Sequence, residues 1–459
     1  MKLTQIAAMT VLYAAGTAFG QCDPVWDITP GNPGVGSGYA DPSAGWDDGN
    51  GEALYIGGSF DRIGGFSNLR GIAKYDPTTG AYSKLGTGIS YGNTNGFMTS
   101  IMPFEANGES LLVVGGFFSS AGGVEDTQSL AAWDGQAWRS LGAGFIPPQA
   151  VWGMTIGDLG DGEKLFFGGG FTDIAGGPAS GVASWDGLSL EVIGEGVGMT
   201  GFSPFVNELV TWDDGGGESL FVVGRFDTID GVNGTKLAAV YRPNSGWEPI
   251  GSGLIAQSST TTLDAAIVYD DGNGEALYIA GSPFRPASGG GFNSVFKWDG
   301  TDWTPVGQNV GGRVTALIEW DDGTGPGLYL SGTATPDIAY FAKLEGGQWV
   351  PYLGGVLGPS ISGNFPSVFG MGTFRGDLVV CGNFTRTGDE QTSNGVAFVT
   401  TCASDCIADF NGDEVVDTRD VLAFLNAWNA EDESADIDGN GLIDTRDVLA
   451  FLNLWNAGC

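Results

Sequence analysis

The chain of 459 residues contains no histidine, and 18 lysines and arginines stand against 54 aspartates and glutamates, a formal charge of −36. Without histidine there is no serine triad of the usual kind and no imidazole zinc site. The charge balance excludes a general electrostatic grip on nucleic acid or on an anionic membrane, and it favours solubility and divalent cations. No glycine-rich phosphate loop stands between a strand and a helix, so nucleotides are not expected. Past the N-terminus no apolar run approaches the length of a membrane span. Helical periodicity is missing from residues 40 to 403, which argues against a Rossmann fold or a barrel.

Glycine, by contrast, is abundant at 81 residues, and aromatics still make up 12 %. That combination points to many strands and tight turns rather than to a disordered tract. Residues 1 to 20 read as a removable secretion signal: Lys2, an apolar run from Ile6 to Phe19, and small residues ahead of Gln21. A lipid anchor on Cys22 is disfavoured because Gln21 occupies the place of a small residue. Five cysteines in an exported chain should mostly pair and leave one over. Cys381 lies inside the apolar strand LVVCGNF and is expected to be the buried free thiol.

Between residues 40 and 403, within a domain expected to span 21 to 403, the chain repeats with a period of roughly 50 to 58 residues. An acidic glycine turn (WDDGNGE at 46, DDGGGE at 213, DDGNGE at 270, DDGTGP at 321) precedes a strand ending in small residues, LYIGGSF in one unit and LFFGGGF in another. An alternating strand ending in Tyr-Asp or Trp-Asp follows (IAKYD, LAAWDG, VASWDG, VFKWDG), then a short one such as WRSLGAG or WTPVGQN. Each unit reads as a four-stranded meander, and seven strands of the second kind imply seven units. The last unit stops at Cys402 without its Trp-containing strand, so Trp26 and its neighbours are expected to supply it and close a ring. A Cys22–Cys402 disulfide would staple that closure.

The paired glycines and aromatic-acid pairs resemble kelch repeats. The resemblance implies a mainly β fold, a seven-bladed β-propeller; a stack of β-solenoid coils is the alternative. Kelch-like propeller oxidases need a histidine-bearing copper site, which this chain cannot build. Asp47, Asp48, Asn50 and Glu52, with Asp270, Asp271, Asn273 and Glu275, are expected to be hairpin turns rather than calcium ligands. Trp133, Trp185 and Trp298 are expected to pack in the core rather than to form sugar platforms.

The last fifty residues are different. DFNGDEVVDTRDVLAFLNAW from Asp409 is followed 27 residues later by DIDGNGLIDTRDVLAFLNLW from Asp436. Oxygen-bearing side chains recur at alternate positions: Asp409, Asn411, Asp413, Asp417 and Asp420 in one copy, Asp436, Asp438, Asn440, Asp444 and Asp447 in the other. This is the spacing at which a twelve-residue loop wraps a calcium ion, with the backbone carbonyls of Val415 and Leu442 as further ligands, so two Ca²⁺ ions are expected. Glu414 stands where the first loop would normally have glycine, and both loops close with aspartate rather than glutamate. After each loop, Val421, Phe424, Leu425 and Trp428, and Val448, Phe451, Leu452 and Trp455, fall at helical spacing and should form one apolar stripe per helix.

Loop plus helix, twice, with no helix leading into the first loop, resembles a dockerin over residues 404 to 459. The terminal Gly458-Cys459 is similar to the variant that ends secreted planctomycete proteins. The resemblance implies a cohesin-like partner or cell-surface receptor read by Thr418, Arg419, Thr445 and Arg446, where a cation at a helix N-terminus opposes the dipole and so suggests another use. A Cys406–Cys459 bond would clasp the module's two ends.

The leading expectation is a secreted or surface-associated, calcium-dependent tethered protein whose ring binds a glycan or a protein. A polysaccharide-degrading hydrolase or lyase and a structural cell-envelope component are the alternatives. No catalytic residue is singled out, because most carboxylates lie in the repeated turns.

Overall fold

The computed structural model describes residues 24–77, 79–142, 149–174, 177–179, 181–361, 365–401, 408, 410–411, 418–430, 432–437 and 442–457. They fall into two compact units, Val25–Thr400 and a second that contains Thr401–Cys459. The chain is mainly β.

Among the described residues of the first unit, seven antiparallel four-stranded meanders follow one another. Gly38–Asp47, Glu52–Phe60, Ile72–Asp76 and Ala81–Ser83 are the first. The opening strands of the other six are Phe97–Ala106, Val151–Asp158, Phe205–Asp213, Leu263–Asp270, Arg313–Asp321 and Ser367–Phe374. The seventh sheet borrows its fourth strand from the other end of the chain. Val25–Asp27 pairs with Val396–Thr400, setting Trp26 opposite Val399. Trp26 also does what three of the other fourth-strand tryptophans do. Its Nε1 donates to the Leu353 carbonyl at 3.1 Å, as Trp138 does to Leu85, Trp303 to Ile250 and Trp349 to Val306.

Seven apolar clusters hold the sheets face to face, each built from two consecutive sheets. Trp46, Tyr55 and Ile72 of the first meet Met98, Leu112 and Trp133 of the second. The last cluster joins Val379, Cys381 and Phe398 of the seventh sheet to Leu54, Ile56 and Tyr75 of the first, so the cycle is closed. Such sheets bury both faces only by stacking, which is why the second strands are apolar on both sides. Trp133, Trp185 and Trp298 are buried in these seams. Cys381 is a fully buried free thiol, and burial pushes it up to about 12.

The acidic turns hold themselves together. The first aspartate folds back on the glycine amides: Asp47 Oδ1 accepts from Gly49 N at 2.8 Å and Gly51 N at 2.9 Å, and Asp158, Asp213, Asp270 and Asp321 repeat the pattern. Gly49 and Gly51 sit at φ +88° and +105°, a conformation that side chains resist. The second aspartate pairs with a cation on the third strand: Asp48 with Lys74, Asp214 with Arg242, Asp271 with Lys297, Asp322 with Lys343. These are hairpins with built-in counter-ions.

In the second unit, helix α1 (Thr418–Asn429) and helix α2 (Thr445–Ala457) each carry a first-turn aspartate. Phe424 and Phe451 stack at 4.2 Å and 10° between them, with Phe410 edge-on to both at 5.4 and 5.7 Å. Val421, Trp428, Val448 and Trp455 pack around this pair. The apolar stripe is narrower than expected. Leu425 and Leu452 are exposed, as are Leu422 and Leu449, because the two helices meet through their phenylalanines and leave the adjoining leucines outside.

Candidate functional site

The opening strands carry a feature that the repeat does not advertise. Each has one residue more than its partner strand at the same level, a β-bulge, and the inserted positions are Asp41, Thr99, Trp152, Asn207, Asp264, Thr315 and Phe369. A bulge bends the strand and re-aims a side chain. All seven line one cavity of about 510 Å³ where the opening strands converge. The framework repeats around it, but the bulge residue changes: acid, hydroxyl, indole, amide, acid, hydroxyl, phenyl.

The backbones approach closely here. A Cβ on Gly153 would lie 2.4 Å from the Asn207 carbonyl oxygen, and one on Gly370 would lie 2.2 Å from that of Asp41. Polar bulge residues reach to the neighbouring strand. Thr99 Oγ1 donates to the Val151 carbonyl at 2.6 Å, Asn207 Nδ2 to the Leu263 carbonyl at 2.9 Å, and Thr315 Oγ1 to the Val368 carbonyl at 2.7 Å.

One side of the cavity is charged. Arg313 holds Asp264 through two hydrogen bonds, Nε to Oδ2 at 2.6 Å and Nη2 to Oδ1 at 2.5 Å, and Asn207 Nδ2 donates to the same Oδ1 at 2.6 Å. Burial raises the Asp264 carboxyl while Arg313 pulls it back down. Asp41 and Glu208 have no such partner among the described residues; Glu208 Oε1 accepts only from the Leu209 amide, at 2.9 Å. Burial pushes Asp41 up to about 7, with Arg313 opposing, and Glu208 up to about 8. The other side is aromatic. Tyr39 lies edge-on to Phe369 at 4.9 Å, and Phe97 is tilted against Trp152 at 5.9 Å. A second aromatic step, Trp152 to Phe205 at 6.2 Å, leads to Arg225, whose guanidinium sits 4.4 Å from the Phe205 ring centre.

The sequence pattern singled out none of these residues, although a signal exists. Asp41, Trp152, Asn207, Asp264 and Thr315 each stand six residues ahead of a turn aspartate, Asp47, Asp158, Asp213, Asp270 and Asp321.

In the helical unit, Asn411, Thr418, Arg419, Asp420, Asp436, Leu442, Asp444, Thr445, Arg446 and Asp447 are described, whereas Asp409, Asp413, Val415, Asp417, Asp438 and Asn440 lie outside the described residues. So do Cys22, Cys402, Cys406 and Cys459, and residues 1 to 20. Among the described residues no group of three or more acidic, Cys or His side chains clusters as a metal site. The closing carboxylates do fit an oxygen-lined cation site. Asp420 and Asp447 are fully buried, with Asp420 Oδ1 accepting from Asn411 N at 3.1 Å and Asp447 Oδ2 from Asp444 N at 2.8 Å. Burying a carboxylate is costly unless positive charge or donors meet it. Arg446 pairs with Asp444 at 2.7 Å, so one residue expected to read a partner is tied to one expected to hold a cation. Thr418, Arg419, Thr445 and Arg446 are all exposed.

No family model matches the chain, and no curated protein matches it. Among solved structures, it is similar to the extracellular domain of a hybrid two-component system protein of B. thetaiotaomicron, with 13 % identity and a TM-score of 0.47. That match covers 83 % of this chain and 40 % of the other, so the chain spans less than half of that structure's length. It is similar also to an ancestral GH74 enzyme (9 % identity, TM-score 0.31, 78 % of this chain and 56 % of that one). A GH74 xyloglucanase from Xanthomonas campestris matches at 13 % identity and a TM-score of 0.23, over 79 % of this chain and 67 % of that one. At these scores the likenesses carry no argument about activity.

Proposed function

We propose that the protein is an exported, tethered receptor: a seven-bladed, kelch-like propeller that binds a glycan or protein ligand in its axial cavity, followed by a dockerin-like module. The observation that carries this reading is the ring of bulges. The units repeat their meander and core, four of them with the same turn ion pair, while the inserted bulge residues that all line a common cavity vary among acid, amide, hydroxyl and aromatic, which is the pattern of a scaffold bearing a specific site. The tether rests on the doubled loop-and-helix motif and its two buried closing carboxylates. In this reading Asp409, Asn411, Asp413, Asp417 and Asp420, with their second-copy counterparts, hold two calcium ions. Leu422 and Leu425, with Leu449 and Leu452, then join Thr418, Arg419, Thr445 and Arg446 in facing a cohesin-like domain. Capture from the native secretome with the full chain, with and without a calcium chelator, tests it. A partner retained only with calcium, and lost from a Leu422→Asp plus Leu449→Asp variant, supports the tether; capture unaffected by both removes it.

The second reading is a polysaccharide-cleaving enzyme. It is favoured by Asp41 and Glu208, two carboxyls raised by burial in one cavity, one of which would serve as proton donor. Turnover of a polysaccharide that Glu208→Gln abolishes while Tm is unchanged would favour it over binding alone.

A further inference from the structure

We infer that the axial cavity is built for an organic cation, a primary ammonium or guanidinium group held between the carboxyls of Asp41 and Glu208 and the aromatic faces of Phe97 and Trp152. This rests on the reading that the cavity is a ligand site and names the chemistry of what enters it. Three acidic side chains and one basic one line the cavity, and the basic one is spent: Arg313 is committed to Asp264 through both of its hydrogen bonds. Asp41 and Glu208 are thus left facing the cavity with no cationic partner among the described residues. A carboxylate withdrawn from water without a counter-ion favours its neutral form, and an entering cation restores the charged one. The aromatic residues beside these carboxyls suit the same guest. Tyr39, Phe369, Phe97 and Trp152 present ring faces and edges, and the negative face of an aromatic ring attracts ammonium and guanidinium groups within about 6 Å. An anionic guest would find no free cation, because Arg313 is already paired with Asp264. A neutral sugar would use the rings and could hydrogen-bond the acids, but it would supply no counter-charge to their ionised form. The net charge of −36 concentrates cations around the protein before they enter.

Binding should be linked to protons. The groups facing Asp41 are Arg313, Tyr39 and Cys381, and Asp264 shares Arg313. Tyr39 and Cys381 are both raised to about 12, and Arg313 stays charged, so between pH 5 and 8 the carboxyls alone respond. Both folded-state values lie above the ordinary carboxyl range, so the empty site holds protons near pH 7 that a cation must expel.

Calorimetric titration of the full chain tests this, with putrescine, a lysine tripeptide and a glucosamine trisaccharide as probes and the N-acetylated trisaccharide as the neutral control. The expected result is saturable binding of an amine at pH 7.5, at least ten-fold tighter than the control. The heat should depend on the buffer's ionisation enthalpy, because protons leave, and affinity should fall at least ten-fold at pH 5. Which probe binds best separates a free amine, a protein side chain and an amino sugar as the source. Glu208→Gln and Asp41→Asn should each weaken binding ten-fold or more at unchanged Tm, while the proton release is read on the unaltered chain. Equal affinity for the acetylated control, binding without proton release, or no amine binding overturns the cation assignment. Tight binding of the neutral trisaccharide alone would do so while leaving the cavity as a ligand site.

Discussion

The acidic turns of the ring and the acidic loops of the helical unit share a composition of Asp, Asn and Gly, yet the sequence supplies cations to them differently. In the ring the acidic turns carry their own answer to their charge: glycine amides for the first aspartate and, in four of them, a lysine or arginine of the third strand for the second. In the loop that closes at Asp420, the acids Asp409, Asp413, Glu414, Asp417 and Asp420 have one arginine, Arg419, in the same stretch. Its described closing carboxylate is buried at the head of α1. The same letters form hairpins in the ring, and the proposed function reads them as cation ligands in the helical unit.

The contrast is broken most severely by Asp420→Ala with Asp447→Ala. Amide exchange in α1 and α2 should accelerate on the order of 1000-fold, because folding of such modules is coupled to their ion, while the strands stay protected. Protection retained in both helices would make the loops no different from the turns. Next is the expected disulfide across the chain ends of the ring. Cys22 stands three residues before Val25, and Cys402 two after Thr400, and those two residues are paired. Non-reducing peptide mapping should recover a Cys22–Cys402 bond, and reduction should cost about 4 kcal/mol of ring stability on the chain-entropy estimate. A Cys381–Cys402 peptide would contradict both that bond and the buried thiol.

Smaller effects probe the turns themselves. Against a burial that would raise it, the Lys343 ammonium with the Thr324 and Tyr352 hydroxyls holds Asp322 well below the usual carboxylate range. Lys343→Ala leaves that carboxylate buried without its ion partner and should cost about 3 kcal/mol, read by denaturant unfolding. It should leave calcium uptake untouched. Asp271 is more open, and Lys297 holds it at about 2. Its folded value lies below the ordinary carboxyl value near 4, so its contribution is present above about pH 4 and lost as pH falls toward 2. Lys297→Met should remove that window at a cost under about 1 kcal/mol after solvent screening. Acid unfolding curves that superimpose would show the pair to be idle.

How much of this the sequence spelled out follows from what repeats. The second strands announce themselves by their small-residue endings, and the Trp26 strand is legible as a fourth strand that the seventh unit lacks. The bulges are not legible in the same way. One inserted residue in an alternating strand leaves the composition ordinary, and Asn207 or Asp264 reads as a solvated position until the register shift turns it toward the cavity. Arg313 and Glu208 are hidden likewise, since their meaning comes from strands some fifty residues away in the chain. The helix stripe failed at Leu425 and Leu452 for another reason. Periodicity places four residues on one face, but two helices meeting through a stacked phenylalanine pair cover only part of it.

Calcium stoichiometry of the full chain is the most direct measurement. Calorimetric titration should give two ions per chain for the natural protein and none for Asp420→Ala with Asp447→Ala, all acidic turns being already satisfied. Uptake that persists in the double variant would place the ions in the ring's turns, and no uptake by the natural protein would leave the tether without its cation; either contradicts the account.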